Sequence, residues 1–213
     1  IITSEKSSLF RNNFKEILKI DLSNCNIFFS IQYLPSNREK PLGTADAIFQ
    51  TMEQFPLLKS KSFCVCNGDN LYSIDSLKEI KNTQAKNAFI AFDREGLKFN
   101  KKKILSFSIA KMNEKNYLID IVEKPSKILK NKFFDVHGKI RVSMNLFKFE
   151  GEICYTFFKY CPLNKIRNEK EITDVLKNLI LDNKKSILGI SIYDNVLDLT
   201  SKKDIIEVQK YLS

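Results

Sequence analysis

The chain has 213 residues, enough for one large domain with a sizeable core or two small ones, and 43% of them are hydrophobic and 28% charged, the balance of an ordinary globular protein. No apolar run approaches the roughly 20 residues of a membrane span, so a membrane-embedded class is excluded. The net charge of +10 is mostly lysine interleaved with Asn and Glu, without an arginine-rich stripe or nucleic-acid motif. It reads as a lysine-rich surface that suits an anionic small substrate rather than nucleic acid.

In chain order, Leu9–Leu18 places Leu9, Phe10, Phe14, Ile17 and Leu18 on one helical face, with Ser7 or Ser8 as cap. Ile27–Tyr33 reads as a strand. Pro35, Ser36 and Asn37 make a loop, and Gly43-Thr44 opens a helix whose inner face is Ala45, Ile48, Phe49 and Met52. Phe63–Asn67 is a short apolar run read as a buried central strand, and Ile74–Ile80 and Ala88–Phe92 follow as helix and strand. The alternation predicts an α/β fold, a Rossmann-like three-layer sandwich with a mixed, mainly parallel central sheet. Ile104–Ile109 and Tyr117–Glu123 flank a polar turn and read as an inserted antiparallel β-hairpin. Arg141–Phe149 is a further β run, Glu152–Tyr160 and Thr173–Leu181 are helices, Ile187–Ile192 is a strand and Lys203–Leu212 a closing helix. In the Thr173–Leu181 helix, Val175, Leu176, Leu179 and Ile180 face inward. No repeat or Gly/Pro-rich linker divides the chain, which predicts one domain over residues 1–213.

Five cysteines, an odd number without a C-x-x-C pair, read as buried reduced thiols of a cytoplasmic protein. Cys64 and Cys66 share one face of their strand and do not bridge each other. His137 is the one histidine, beside Gly138; it reads as a turn residue, and zinc sites built on His or a Ser-His-Asp triad lack material.

The stretch "FCVCNGDN" at Phe63–Asn70 ends a strand in a turn carrying a carboxylate, Asp69, beside Gly68. Ligands of open α/β sheets bind outside the carboxyl ends of strands. Magnesium prefers one or two carboxylates completed by phosphate oxygens and water. Asp69 therefore reads either as a ligand of a phosphate-bound metal or as a cap of the next turn.

Taken together and in order, five segments resemble the sugar-1-phosphate nucleotidyltransferases, also called NDP-sugar pyrophosphorylases. They are Gln32 with "PLGTADA" at Pro41–Ala47, "NGDN" at Asn67–Asn70, "VEKP" at Val122–Pro125, "SMNLFKF" at Ser143–Phe149 with "EITD" at Glu171–Asp174, and "VLDLTSKKDI" at Val196–Ile205. The resemblance implies an enzyme that joins a nucleoside triphosphate to a sugar 1-phosphate with Mg2+ as cofactor, releasing pyrophosphate. It acts on small-molecule partners and not on nucleic acid or membrane, and a homo-oligomer is compatible with it. It assigns Asp69 and Asp198 to the metal, Asp198 standing in a loop similar to the family's W-x-D-x-G-T with Leu199 where the Gly is usual. Gln32, Gly43, Thr44 and Gly68 fall at nucleotide positions. Glu123, Lys124, Asn145, Glu171 and Thr173 fall at sugar-phosphate positions, and Asp69 and Lys124 are the catalytic pair. Asn145 replaces a Gly common in the family.

Local alternatives remain: Asp198 as a cap before Ser201, Gln32 as a polar strand end, and Thr173 or Asp174 as helix caps. The family's Gly-rich G-x-G-T-R-x-x-P loop has no counterpart. Ile1-Ile2 resembles the strand after it, so roughly 50–60 residues are expected upstream, and no β-helix domain is expected downstream. A noncatalytic relative of the fold and an NDP-sugar-dependent glycosyltransferase are the competing functions.

Overall fold

The computed structural model describes residues 1–18, 24–99, 101–104, 107–125, 132–200, 202 and 204–212. They fall into two compact units, residues 1–61 with 152–175 and residues 62–151 with 176–213.

The first unit starts with strand β1 (Ile2–Ser4), helix α1 (Ser8–Leu18), strand β2 (Ser30–Gln32) and helix α2 (Thr44–Gln54). β1 and β2 pair in parallel, Ile2 opposite Ser30 and Ser4 opposite Gln32, with α1 as the crossover that parallel strands need. The expected strand Ile27–Tyr33 contracts to three residues because β1 offers only three partners. Phe29 instead packs edge-to-face with Phe10 and Phe14, at centroid separations of 5.3–6.3 Å. On α2, Ala45, Ile48 and Met52 are buried as expected, and so is Asp46, while Phe49 is only half-buried. Two glutamines one turn apart on α2 complete β2. Gln54 accepts from Ile31 N–H at 2.9 Å and donates to Ile31 O at 2.8 Å, and Gln50 does the same for Tyr33 at 2.8 and 3.1 Å. These amides do for the strand's second edge what a neighbouring strand would do.

The second unit holds β3 (Ser62–Val65), β4 (Asn70–Leu71), α3 (Ile74–Asn82), β5 (Ala88–Asp93), a short α4 (Lys101–Ile104), β6 (Ser108–Met112), β7 (Leu118–Val122), β8 (Arg141–Glu150), β9 (Leu188–Ile192), β10 (Leu197–Asp198) and α7 (Asp204–Leu212). Helix α5 (Gly151–Lys159) belongs to the first unit from Glu152 onward. Helix α6 (Ile172–Asp182) contributes residues to both, its inward Val175, Leu176, Leu179 and Ile180 all buried. Lys203 of the expected closing helix lies outside the described residues.

Among the described residues six strands form the main sheet, in the order β7-β6-β8-β5-β9 with β3 also paired to β8. The sheet is mixed. β3, β5, β6 and β9 run one way and β7 and β8 the other, so most strands are parallel in direction. Because β8 stands between the others, β5 and β9 make the one parallel ladder of this sheet among the described residues. The hairpin expected as an insertion is β6–β7, and β6 joins β8, so it extends the sheet. Every residue of β5 is buried, which requires cover on both faces. Ala88, Ile90 and Phe92 share one core with Val142, Met144, Leu146 and Ile80 of α3, while Phe89 and Phe149 flank Phe147 on the other face.

Two expectations are corrected here. Phe63–Asn67 is not central: among the described residues β3 has a ladder partner, β8, on one side only, and its burial is partial. With one face open, strand alternation turns Cys64 and Cys66 outward together, so of the five thiols these two and Cys25 are exposed while Cys154 and Cys161 are buried. Among the described residues no helix is long and apolar enough to cross a membrane.

Candidate active site

The acidic part of the site arises from a ladder the sequence does not announce. β3 ends at Val65, and Asn67, Gly68 and Asp69 lead into β4. β4 pairs antiparallel with β10, Leu71 opposite Leu197 and Asn70 opposite Asp198, and Leu199 N–H donates to Asp69 O at 2.8 Å. Two turns about 130 residues apart in sequence are thus laced together, with Asp69 and Asp198 at the lacing. Asn70 Nδ2 donates to Asp198 Oδ1 at 3.4 Å and Thr200 Oγ1 to Asp198 Oδ2 at 2.7 Å. Asp198 is 9% exposed, whereas Asp69 is open to solvent.

Lys103 of α4 sets its ammonium 2.9 Å from Asp198 Oδ2 and 3.5 Å from Asp204 Oδ1. Burial alone draws the Lys103 ammonium down, but the two carboxylates outweigh it and hold its pKa above the ordinary value. Tyr72 reports on both acids. Its hydroxyl donates to Met144 O at 2.6 Å. Burial first, against a hydrogen bond from Asn67 N–H, and then the charges of Cys66, Asp69 and Asp198 push its pKa far up. Among the described residues no group of three or more His, Cys, Asp or Glu gathers around one point. Two carboxylates are a donor set of the kind magnesium accepts, since it completes its shell with phosphate oxygens and water and needs no all-protein cage.

Gly68 and Gly43 differ in why they are glycines. A Cβ on Gly68 would meet nothing within 4 Å, so the protein's own packing does not demand glycine there. Gly43 has φ 108°, and a Cβ there would stand 2.4 Å from Lys170 O. The Gly43 turn is braced by that segment, Ala45 N–H donating to Lys170 O at 3.1 Å and Lys170 N–H to Leu42 O at 2.6 Å. Exposed Thr44 opens α2 just beyond it. Gln32 Nε2 donates to Gly43 O at 3.0 Å and to Asp46 Oδ2 at 3.1 Å. Gln32 and Gly43 are therefore one structure, braced by backbone hydrogen bonds on Lys170, whose chain neighbour is Glu171.

Glu171 and Thr173 are both buried. α6 begins at Ile172, so Thr173 and Asp174 lie inside its first turn, and Glu171 O accepts from Asp174 N–H at 3.1 Å. The Glu171 carboxylate is 2.6 Å from the Arg167 guanidinium and accepts from Asn164 Nδ2 at 3.2 Å.

Glu123 and Lys124 follow β7, the lysine exposed and Pro125 buried. Lys124 has φ 43°, a left-handed backbone that a non-glycine residue holds only at a cost. Asn145 has φ 57°. It sits where the β5–β8 register jumps from Phe89 opposite Phe147 to Ala91 opposite Ser143, a bulge in β8. Asn is the side chain that tolerates this region best, which explains how it can stand at a position where glycine is usual.

The structure therefore joins Gln32 to Gly43 in one unit and Asp69 to Asp198 in the other. No hydrogen bond or ion pair among the described residues links Lys124 to either acid. Asp46, Lys103, Asn70 and Tyr72 were given no role by the sequence reading. A signal existed for Asp46, an acid between Ala45 and Ile48 on the inner face of an amphipathic helix. Lys103 had none, lying in a run of lysines that reads as surface.

A sequence profile of the family described as Nucleotidyl transferase matches residues 1–212 of the chain. The bifunctional protein GlmU of Methanocaldococcus jannaschii is 27% identical over 163 aligned residues, which cover 70% of this chain and 31% of that protein. The chain spans just under a third of the length of that curated relative.

Proposed function

The chain belongs to the nucleotidyl transferase family, and on that footing we propose that it serves transfer of a nucleotidyl group from a nucleoside triphosphate to a sugar 1-phosphate. A phosphate oxygen of the sugar 1-phosphate forms a bond to the α-phosphorus. The bond from that phosphorus to the oxygen bridging to the β-phosphate breaks, and pyrophosphate leaves with the electron pair. Such transfers need positioning and charge neutralisation more than proton transfer. A Mg2+ ion, when bound, neutralises phosphate charge, and Asp69 and Asp198 are the residues that would hold it.

The chain's own groups do the rest. Lys124 carries a compact positive charge suited to the sugar's phosphate, and Glu123 accepts from sugar hydroxyls. Asn145, Glu171 and Thr173 border the sugar. Gln32 meets the base edge, Gly43 and Thr44 the base and ribose. Gly68, with no neighbour of its own, leaves space for phosphate to approach the backbone.

One observation carries this reading: the β4–β10 ladder, which brings the Asp69 and Asp198 turns together and leaves Asp198 Oδ2 facing an ammonium. A nearly buried carboxylate that already faces an ammonium is of the kind that suits a second cation arriving with substrate. The test is pyrophosphate release by the full-length protein with five nucleoside triphosphates against several sugar 1-phosphates. Release that needs both substrates and Mg2+, and that falls by orders of magnitude in both Asp69→Asn and Asp198→Asn, is expected. Unchanged release in either variant would remove that residue from the metal.

A further inference from the structure

Asp46 is nearly fully buried, 5% exposed, in the first turn of α2, and among the described residues no cation lies within ion-pair distance of it. Its Oδ2 accepts from two glutamine amides, Gln32 Nε2 at 3.1 Å and Gln50 Nε2 at 2.8 Å. An ionised carboxylate in the interior with only neutral partners is costly. The positive end of α2 offsets some of that cost, but that would serve an exposed acid equally well.

The value of the arrangement lies in what it does to Gln32. A glutamine amide has two hydrogens on Nε2 and an acceptor on Oε1. Here one hydrogen goes to Gly43 O and the other to Asp46 Oδ2. Both partners are pure acceptors, so the amide cannot be turned over without setting Oε1 against a carbonyl and a carboxylate. Its orientation is fixed by chemistry, and among the described residues nothing donates to Oε1. Gln50 holds Asp46 in turn, and its own amide is fixed on Tyr33 of the chain leaving β2. The line from the β2 backbone through Gln50 and Asp46 to Gln32 has no rotational freedom left in its polar groups.

We propose that Asp46 is a positioning residue for nucleotide specificity: it locks Gln32 so that Oε1 alone meets the base, as an acceptor. This rests on the reading that Gln32 meets the base edge. The consequence is chemical. Gln32 in this state accepts from a ring or exocyclic N–H of the base and has no hydrogen left for a ring nitrogen or carbonyl. A free glutamine could present either end and would distinguish bases less.

The experiment measures dissociation constants of ATP, GTP, CTP, UTP and dTTP, each with Mg2+, for the full-length protein and its Gln32→Ala, Asp46→Asn and double variants, with thermal melting as a folding control. Asn at position 46 is isosteric but can donate as well as accept, so it removes one of the two acceptors that oppose the reversed Gln32 amide and leaves only Gly43 O against it. The expected result is a ratio between preferred and next base that shrinks about three- to tenfold in Asp46→Asn. Gln32→Ala should shrink it at least as far, and adding Asp46→Asn to Gln32→Ala should change it no further. If Gln32→Ala leaves the ratio intact, or the wild type does not distinguish the bases, the assignment of Gln32 to the base fails and the inference falls with it. If Gln32→Ala changes the ratio and Asp46→Asn does not, or Asp46→Asn acts equally without Gln32, the Gln32 assignment stands and the role of Asp46 is overturned. Asp46→Ser, whose hydroxyl donates as well as accepts, replaces Asn under the same outcomes should the latter not fold.

Discussion

At the scale of single residues, the backbone identifies which unusual positions the fold itself requires. Gly43 is required: φ 108° and a Cβ 2.4 Å from Lys170 O leave no room for alanine. Gly43→Ala should cost at least about 2 kcal/mol of stability by denaturant unfolding. Gly68→Ala meets no protein atom within 4 Å and should shift stability by no more than about 0.5 kcal/mol while weakening nucleotide binding. If both glycines behave alike in unfolding, the distinction drawn between them is wrong. Lys124 keeps a strained φ of 43° on an exposed side chain, and its contact, if to phosphate, is charge-assisted. Lys124→Ala should therefore lower kcat/KM for the sugar phosphate about ten- to 150-fold with little change in nucleotide affinity. Kinetics with each substrate varied in turn decide it, since a merely solvated lysine would leave both constants where they were.

At the scale of elements, what was legible in the sequence followed from periodicity, and what was not followed from pairing across long separations. Helices α2, α3 and α6 and strands β5, β8 and β9 were readable because their apolar residues recur at helical or strand spacing. β4 and β10 were not, because two-residue strands have no period, yet they lace the Asp69 and Asp198 turns together. β3 was misjudged for a related reason: an apolar run of four residues does not reveal how many neighbours it will have, and β3 has one. Asp46 was hidden by its type, an acid being read as surface, though its place between Ala45 and Ile48 was on view.

The loop before β8 is held by charge in a way that sequence spacing only hints at. Asp135 accepts from Arg141 Nε at 2.7 Å, from Lys139 N–H at 2.8 Å and from His137 N–H at 2.9 Å. Burial raises its pKa, but these hydrogen bonds prevail and hold it below its ordinary 3.8. A depressed carboxylate contributes its stability above its unfolded pKa and loses it as pH falls through the folded one. Acid unfolding of the wild type should therefore steepen below about pH 4, and Asp135→Asn should be less stable at pH 7 with a flatter acid limb. An identical acid limb in the variant would show that Asp135 contributes nothing to it.

At the scale of the whole molecule, the residues given roles above are divided between the two units. The first holds the Gln32–Gly43–Asp46 network with Glu171 and Thr173, and the second holds Asp69, Asp198, Glu123, Lys124 and Asn145. The step proposed for the chain is attack of a sugar phosphate oxygen on the α-phosphorus. The measurement that tests it most directly uses sugar 1-phosphate with heavy oxygen in its non-bridging phosphate positions. It is incubated with a nucleoside triphosphate, Mg2+ and the full-length protein, and the products are weighed by mass spectrometry. The expected products are an NDP-sugar retaining all of the label and unlabelled pyrophosphate, both falling by orders of magnitude when Asp198 is replaced by Asn. Label in the pyrophosphate, or release of pyrophosphate without a labelled NDP-sugar, would contradict it.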